Sequence, residues 1–324
     1  MSGIEMSAGK WMAAGLAAVV IAVVAACSIT LHAKPEVTVP TSADARTTYP
    51  IVLAHGMMGF DYMGSFAYWR GIPERLRAHG AQVFVTQVSA FHSSDVRGQQ
   101  LLKQVEQIVA QTGARKVNLI GHSHGSQSVR YVAAMRPDLV ASVTAVAGPT
   151  GGSEVADWLN ELGASYPWAT DAVLSVGNFM GGRINWASDA DLPQDARATM
   201  ASLTTQGARA FNQRFPAGVP TAVCGEGAHE VDGIRYYSWS GIGQFYRALN
   251  PADYIMSATH LAMKHGQSDG LVERCSSHLG EVIRDDYPMN HFHAVNLFMG
   301  LVSPDVDPPG LFLAHALRLK QAGL

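Results

Sequence analysis

Charge is what this sequence has least of. Only 15% of its 324 residues are Asp, Glu, Lys or Arg, the formal net charge is −3, and the pI lies near 6.5. No basic run interleaved with aromatic residues occurs along it. A partner held through its phosphates needs such a run, so nucleic acid is excluded. There is no internal repeat, which excludes a solenoid or a propeller. Cysteine is scarce too, with Cys27, Cys224 and Cys275 the whole supply. What remains is apolar bulk, 48% of the chain, ample for a large buried core.

One stretch lacks charge altogether. Residues 11–27 are apolar, preceded by Lys10 and followed by the small and polar residues 28–33. That is the pattern of an export signal, although Glu5 leaves its leading region poor in positive charge. Three readings are open. Leu31-His32-Ala33 suits ordinary signal-peptide cleavage after residue 33. Val24-Ala25-Ala26-Cys27 resembles the bacterial lipobox, in which Cys27 is lipidated and becomes the mature N-terminus. The run is also just long enough to span a membrane uncleaved. The expected location is therefore secreted, periplasmic or membrane-attached, in an oxidising compartment. There Cys224 and Cys275 are free to pair, closing a loop that stabilises by about 4 kcal/mol in the chain-entropy model; two buried thiols are the alternative.

Residues 34–48 are polar, carry Pro35 and Pro40 and show no apolar period, so they read as a linker. A folded domain over 49–324 begins at Tyr49 with a short buried strand, Ile51-Val52-Leu53-Ala54, that runs into the glycine-punctuated loop His55-Gly56-Met57-Met58-Gly59-Phe60. A helix over 69–79 is stopped by Gly80, and a strand follows over 82–85. Ser94 can cap a helix whose Leu101, Val105, Ile108 and Val109 share a face. Another strand, another helix over 126–135 and a strand over 139–147 complete the alternation. Strands alternating with helices of this length require right-handed crossovers, hence a parallel sheet covered on both faces. Within 153–215 the alternation stops. Trp158, Leu159 and Leu162, then Val173, Val176, Phe179 and Met180, stand at helical spacing, interrupted by Gly177, Gly181 and Gly182. Such a segment is either core helix or a mobile lid over an apolar cleft, and its length favours the lid. Strands are expected to resume over 219–224 and 236–239, and a last helix over 311–321.

The apolar run Val117-Asn118-Leu119-Ile120 enters Gly121-His122-Ser123-His124-Gly125, a G-x-S-x-G pattern. The pattern alone is common and a plain turn would satisfy it. Strand before and helix after make it an elbow that presents Ser123 in a strained backbone conformation, a candidate nucleophile. A serine hydroxyl needs a histidine base, which needs a carboxylate to fix its tautomer. On such an elbow the chain order is Ser, then acid, then His. Asp269 and His291 fall where that order demands. His260, His278 and His293 compete for the base, and Asp253, Asp285 and Asp286 for the acid; spacing does not choose among them. The oxyanion formed on attack needs backbone N–H donors, expected from His124 and from Met57 in the early loop.

Six blocks in order carry a resemblance: His55 to Asp61, Lys116 to Gly125, Arg130 to Ala134, Cys224 to Gly227, Tyr236 to Gly241 and Cys275 to Gly280. Together they resemble the secreted bacterial triacylglycerol lipases of the Pseudomonas and Burkholderia type, from Tyr49 to near the C-terminus. The resemblance implies an α/β-hydrolase fold, a mostly parallel central sheet with helices on both faces and a helical lid within about 153–215. It implies Ser123 as nucleophile, Asp269 as acid, His291 as base, Met57 and His124 as oxyanion hole, and a Cys224–Cys275 disulfide. It further implies an acylglycerol substrate at a lipid–water interface, no cofactor for catalysis, and a membrane-anchored foldase as partner.

Two departures stand out. The family's structural calcium is held by two aspartates at positions that correspond here to Asn250 and His293, with carbonyls corresponding to Leu297 and Leu301. Calcium takes oxygen ligands, mostly charged, so no tight site is expected here unless the nearby Asp253 substitutes. After the elbow helix the family has Pro-His-x-Gly-Ser where this chain has Pro149-Thr150-Gly151-Gly152-Ser153. The expected activity is a serine hydrolase of carboxylic esters, long-chain acylglycerols first. A short-chain carboxylesterase or thioesterase is the alternative enzyme. A catalytically silent lipid-binding module is the remaining one, against which the intact Ser123, Asp269 and His291 argue.

Overall fold

Ile51, Val52, Leu53 and Ala54 carry no polar side-chain atom and all four are buried, as a strand must be when both faces of its sheet are covered. In the computed structural model, which describes residues 44–264 and 266–324, they form β1 (Ile51–Ala54), a strand paired on both sides in the sheet. The expected export signal, Cys27 included, and residues 34–43 lie outside the described residues.

A small hairpin of β2 (Tyr62–Met63) and β3 (Phe66–Ala67) follows β1. Helices and strands then alternate: α1 (Ile72–Ala78), β4 (Val83–Thr86), α2 (Ser94–Thr112), β5 (Val117–His122), α3 (Gly125–Met135) and β6 (Val140–Val146). Four helices intervene, α4 (Glu154–Ser165), α5 (Pro167–Ala187), α6 (Ala196–Leu203) and α7 (Thr205–Arg214). The sheet resumes with β7 (Glu230–Val231) and β8 (Ile234–Gly241), then α8 (Pro251–His260), β9 (Glu281–Tyr287) and α9 (Pro308–Gln321). Strand order is β4-β1-β5-β6-β8-β7, with β9 also on β8, and every pairing is parallel except β7 with β8. Alternate residues of one strand enter opposite cores. Ile51 and Leu53 pack with Ile120, Trp239 and Phe312, whereas Val52 and Ala54 pack with Leu119, Val143 and the Leu101 and Val105 face of α2.

Several local expectations shift. Ala45 is fully buried and its N–H bonds the His79 carbonyl at 2.7 Å, so packing begins ahead of Tyr49. Ser93 and not Ser94 caps α2, accepting from Val96 N; Ser94 turns inward instead. Residues 219–224 form turns and not a strand. Cys224 there has φ +58° and Gly218 before it φ +73°, left-handed values that an extended strand cannot contain. The edge of β8 is taken instead by β7 and β9.

The helices α4 to α7 occupy the expected lid segment. Their entry is stitched to residues 271–276: Gly151 N bonds Ser276 O at 2.8 Å, Ser153 Oγ bonds Leu271 O at 2.6 Å and Glu154 N bonds Glu273 Oε1 at 3.0 Å. Cys275, in the same stretch, is disulfide-bonded to Cys224 across 51 residues. Closing a loop of that length stabilises by about 4 kcal/mol in the chain-entropy model. We therefore expect Cys224→Ala/Cys275→Ala to melt about 8 °C lower, on the usual conversion for a chain of this size. Calorimetry under non-reducing conditions measures it; an unchanged midpoint would mean that the bridge adds nothing to the folded state.

Candidate active site

The elbow is built from the absence of two side chains. A Cβ on Gly121 would lie 2.3 Å from the Gly125 carbonyl oxygen, and one on Gly125 would lie 2.2 Å from that of Ala54. Only glycine at both positions lets β5, β1 and the start of α3 come this close. Between them Ser123 has φ +54°, a strained value for a residue with a side chain. Its backbone is held on both sides, Ser123 N donating to Val146 O and Ser126 N to Ser123 O, each at 2.9 Å. Ser123 is partly exposed while His122 and His124 beside it are buried. The loop after β1 lies directly on it, since a Cβ on Gly56 would come within 2.7 Å of the Ser123 Cβ.

Among the described residues, four histidine–carboxylate pairs lie in the second half of the chain: an exposed His229–Glu226 pair at 2.8 Å and three others. His278 pairs with Asp285 and His293 with Asp253, each at 2.9 Å, and His291 Nδ1 lies 2.8 Å from Asp269 Oδ2. His260 bonds Ser268 Oγ, and Asp286 pairs with Arg284. Of these candidate bases, His291 is the one that packs on the elbow among the described residues. Its ring centroid is 4.7 Å from that of His122, and His122 Nε2 donates to the His291 carbonyl at 3.0 Å. Asp269 is buried, and its Oδ1 accepts from Leu271 N at 3.0 Å and Val272 N at 2.8 Å, which leaves Oδ2 for the imidazole. The structure thus packs the Asp269–His291 pair on His122, the residue beside Ser123, while His260, His278 and His293 are bonded to other partners.

This geometry has a counterpart among known proteins, since residues 49–294 match the family described as the alpha/beta hydrolase fold. The chain belongs to the α/β-hydrolase family. Within it the hydrolase is 50% identical to a triacylglycerol lipase of Vibrio cholerae over 281 residues, 86% of this chain and 90% of the relative. It is 41% identical to a triacylglycerol lipase of Pseudomonas fragi, covering 86% and 98% of the two chains, and 35% identical to one of Burkholderia plantarii, covering 92% and 93%. Among solved structures it resembles Staphylococcus hyicus lipase, with TM-score 0.58 and 16% identity over 88% of this chain and 99% of that one. A metagenomic carboxyl esterase is similar too, with TM-score 0.59 and 18% identity over 91% and 82%. At such identities the last two share the fold.

In this hydrolase the loop of Gly56 and Met57 is held by groups that sequence spacing does not disclose. Gly56 N donates to the Tyr68 hydroxyl at 3.1 Å, and that hydroxyl donates to His122 Nδ1 at 2.6 Å. His122 Nε2 then donates to His291 O, so a neutral chain of hydrogen bonds runs from the loop to the histidine. Burial keeps His122 well below the usual histidine range and pushes the Tyr68 phenol up. Arg97 is fully buried and donates to the carbonyls of His55 at 2.6 Å, Gly56 at 3.1 Å, Ala90 at 3.4 Å, and Ser89. Burial lowers it to about 9. The one sequence signal for it is its position, a lone arginine four residues before Leu101 on the apolar face of α2. His55, which donates through Nδ1 to Gly56 O and accepts at Nε2 from Val88 N, is lowered to about 3 by burial. His124 donates through Nε2 to Ser94 Oγ at 2.9 Å, and Ser94 donates onward to Gln127. Among the described residues, the backbone N–H groups of Met57 and His124 donate to no other backbone or side-chain group.

Proposed function

We propose that this hydrolase cleaves the esters of long-chain acylglycerols through an acyl-enzyme on Ser123. The observation that carries the reading is the Asp269–His291 pair packed on His122, the residue beside an elbow serine held at positive φ. His291 Nε2 takes the Ser123 proton as Oγ bonds to the ester carbonyl carbon. The negative oxygen that results is met by the Met57 and His124 N–H groups, each contributing roughly 3 kcal/mol. The bond to the glyceride oxygen breaks as His291 returns the proton to it. Water, activated by the same imidazole, then releases the fatty acid and restores the serine. Asp269 holds the Nδ1–H tautomer and stabilises the imidazolium without taking the proton.

The long-chain preference rests on α5. Its Leu174 and Ile184 are buried against Phe91 and Ala196 in the cluster beside the site, yet Trp168, Phe179 and Trp186 are 62%, 67% and 74% exposed. Large apolar side chains gathered on one exposed helix suit contact with a lipid surface. The relatives' named substrate, triacylglycerol, supports the same reading. In it α4 to α7 act as a lid that opens at the interface, and the protein works outside the cytoplasm, where the Cys224–Cys275 bridge forms.

Hydrolysis of emulsified long-chain triacylglycerol and of a soluble short-chain ester, followed across the substrate's solubility limit with Ser123→Ala as control, tests this. A jump in rate when the emulsion forms, absent in Ser123→Ala, is expected. Activity confined to the soluble ester would instead make the four helices a fixed cap and the protein a short-chain esterase.

A further inference from the structure

Two residues beyond His291 stands His293, and its partner is a carboxylate buried as deeply as itself. Asp253 and His293 are both 0% exposed, with Nε2 and Oδ1 2.9 Å apart. Asp253 accepts four hydrogen bonds. Its Oδ2 accepts from Tyr246 N and Arg247 N, each at 2.6 Å, and its Oδ1 from Asn290 Nδ2 at 2.8 Å and from His293. A carboxylate offers about four lone-pair sites, so none is left over. Asn290 carries the connection to the active site. Its Oδ1 accepts from Phe292 N at 3.1 Å and His293 N at 3.0 Å, bracketing the backbone of His291. Asn250 joins at His293, its Nδ2 lying 3.1 Å from His293 Nε2 and donating to Leu301 O at 2.7 Å while its Oδ1 accepts from Ala252 N at 2.9 Å, and His293 Nδ1 accepts from Ser303 N at 3.3 Å.

These residues do not fit a calcium ion. At the positions that correspond to the lipase calcium site, the amide of Asn250 turns its N–H toward Leu301 O and the imidazole of His293 turns its N–H toward Asp253. Both present donors where a hard cation needs oxygen. The one nearby carboxylate has its lone pairs taken.

We propose that the network centred on Asp253 and His293 stands in for a metal ion and positions His291 for proton transfer, so that this hydrolase is independent of calcium. The proposal rests on the reading of His291 as the base. Asp269 fixes the ring of His291, and Asp253, through Asn290, fixes its backbone. Neither anchor replaces the other, because a ring correctly tilted on a backbone displaced by about 1 Å loses roughly a hundredfold in rate. Networks of this kind act as a unit when every member is satisfied.

The full exported protein is assayed on a soluble ester, with kcat, KM and melting midpoint measured in EDTA and in millimolar calcium chloride. The wild type is expected to be unchanged in both. His293→Ala should lose about a hundredfold in kcat at unchanged KM, with labelling of Ser123 by an organophosphonate slowed alike. His293→Gln, which keeps an N–H for Asp253, should recover most of the loss. Asn250→Asp/His293→Asp restores the carboxylates and should make kcat and midpoint depend on added calcium. Loss of wild-type activity in EDTA that calcium reverses would overturn the proposal, as would a folded His293→Ala with full kcat. Should His293→Ala fail to fold, the chelation result and the double aspartate variant decide. Failure of the parent reading is distinct, since it shows as activity surviving in Ser123→Ala.

Discussion

Ser123→Gly will abolish ester hydrolysis and leave a protein more stable than Ser123→Ala. Loss of activity follows from the chemistry. With no hydroxyl there is no acyl-enzyme, and because nucleophile and base act as a unit the expected fall in kcat is roughly 10⁵-fold or more, leaving only what binding and the oxyanion donors contribute. The gain in stability follows from the backbone. At φ +54° the Cβ of Ser123 crowds the following peptide, a cost on the order of 1 kcal/mol that alanine retains and glycine removes. For a chain of this length that difference moves the melting midpoint by about 2–4 °C. Activity assays and calorimetry on the two variants separate the effects. Equal midpoints would mean that the elbow stores no strain, and hydrolysis within about a hundredfold of the wild-type rate in either variant would remove Ser123 from the mechanism.

The elbow could be read in advance because its requirements are local. A buried strand, glycines two residues either side of a serine and a following helix are all contiguous, and Gly121, Ser123 and Gly125 behave in three dimensions as their spacing demands. Asp269 and His291 were legible only as members of a set. His278 with Asp285 and His293 with Asp253 satisfy the same pattern of a histidine near an acid, and which pair faces Ser123 depends on how the loops after β8 and β9 return to the sheet. That is long-range packing, which spacing does not encode. Tyr68 and His122 were invisible for the same reason, since their hydrogen bond spans 54 residues. Residues 219–224 are not a strand because Gly218 and Cys224 hold φ values of +73° and +58°, which apolar character does not disclose. The Asp253 network was half legible. Missing carboxylates at Asn250 and His293 pointed away from calcium, but that an aspartate, an imidazole and two amides would close on one another could be seen only once Asn290 was placed between them.

Asp269→Asn is expected to lower kcat by about 10⁴ while folding and substrate binding persist. The surrounding loop determines the outcome. Oδ1 of residue 269 accepts from Leu271 N and Val272 N, so an asparagine must place its carbonyl oxygen there and its amide nitrogen where Oδ2 now meets His291. The amide would then donate to His291 Nδ1. An imidazole accepting at Nδ1 carries its proton on Nε2, the atom that must be bare to take the proton of Ser123. Flipping the amide to rescue the tautomer would leave two backbone N–H groups facing an NH₂ in a buried loop, at about 1–3 kcal/mol for each unsatisfied donor. The variant is therefore held in the wrong tautomer. Steady-state kinetics on a soluble ester should show kcat reduced and KM little changed, with a melting midpoint close to that of the wild type. Raising the pH will not restore it, because the defect is which nitrogen bears the proton and not how many protons the ring carries. A variant retaining even a tenth of wild-type kcat would mean that another carboxylate orients His291, and would move the acid of this active site away from Asp269.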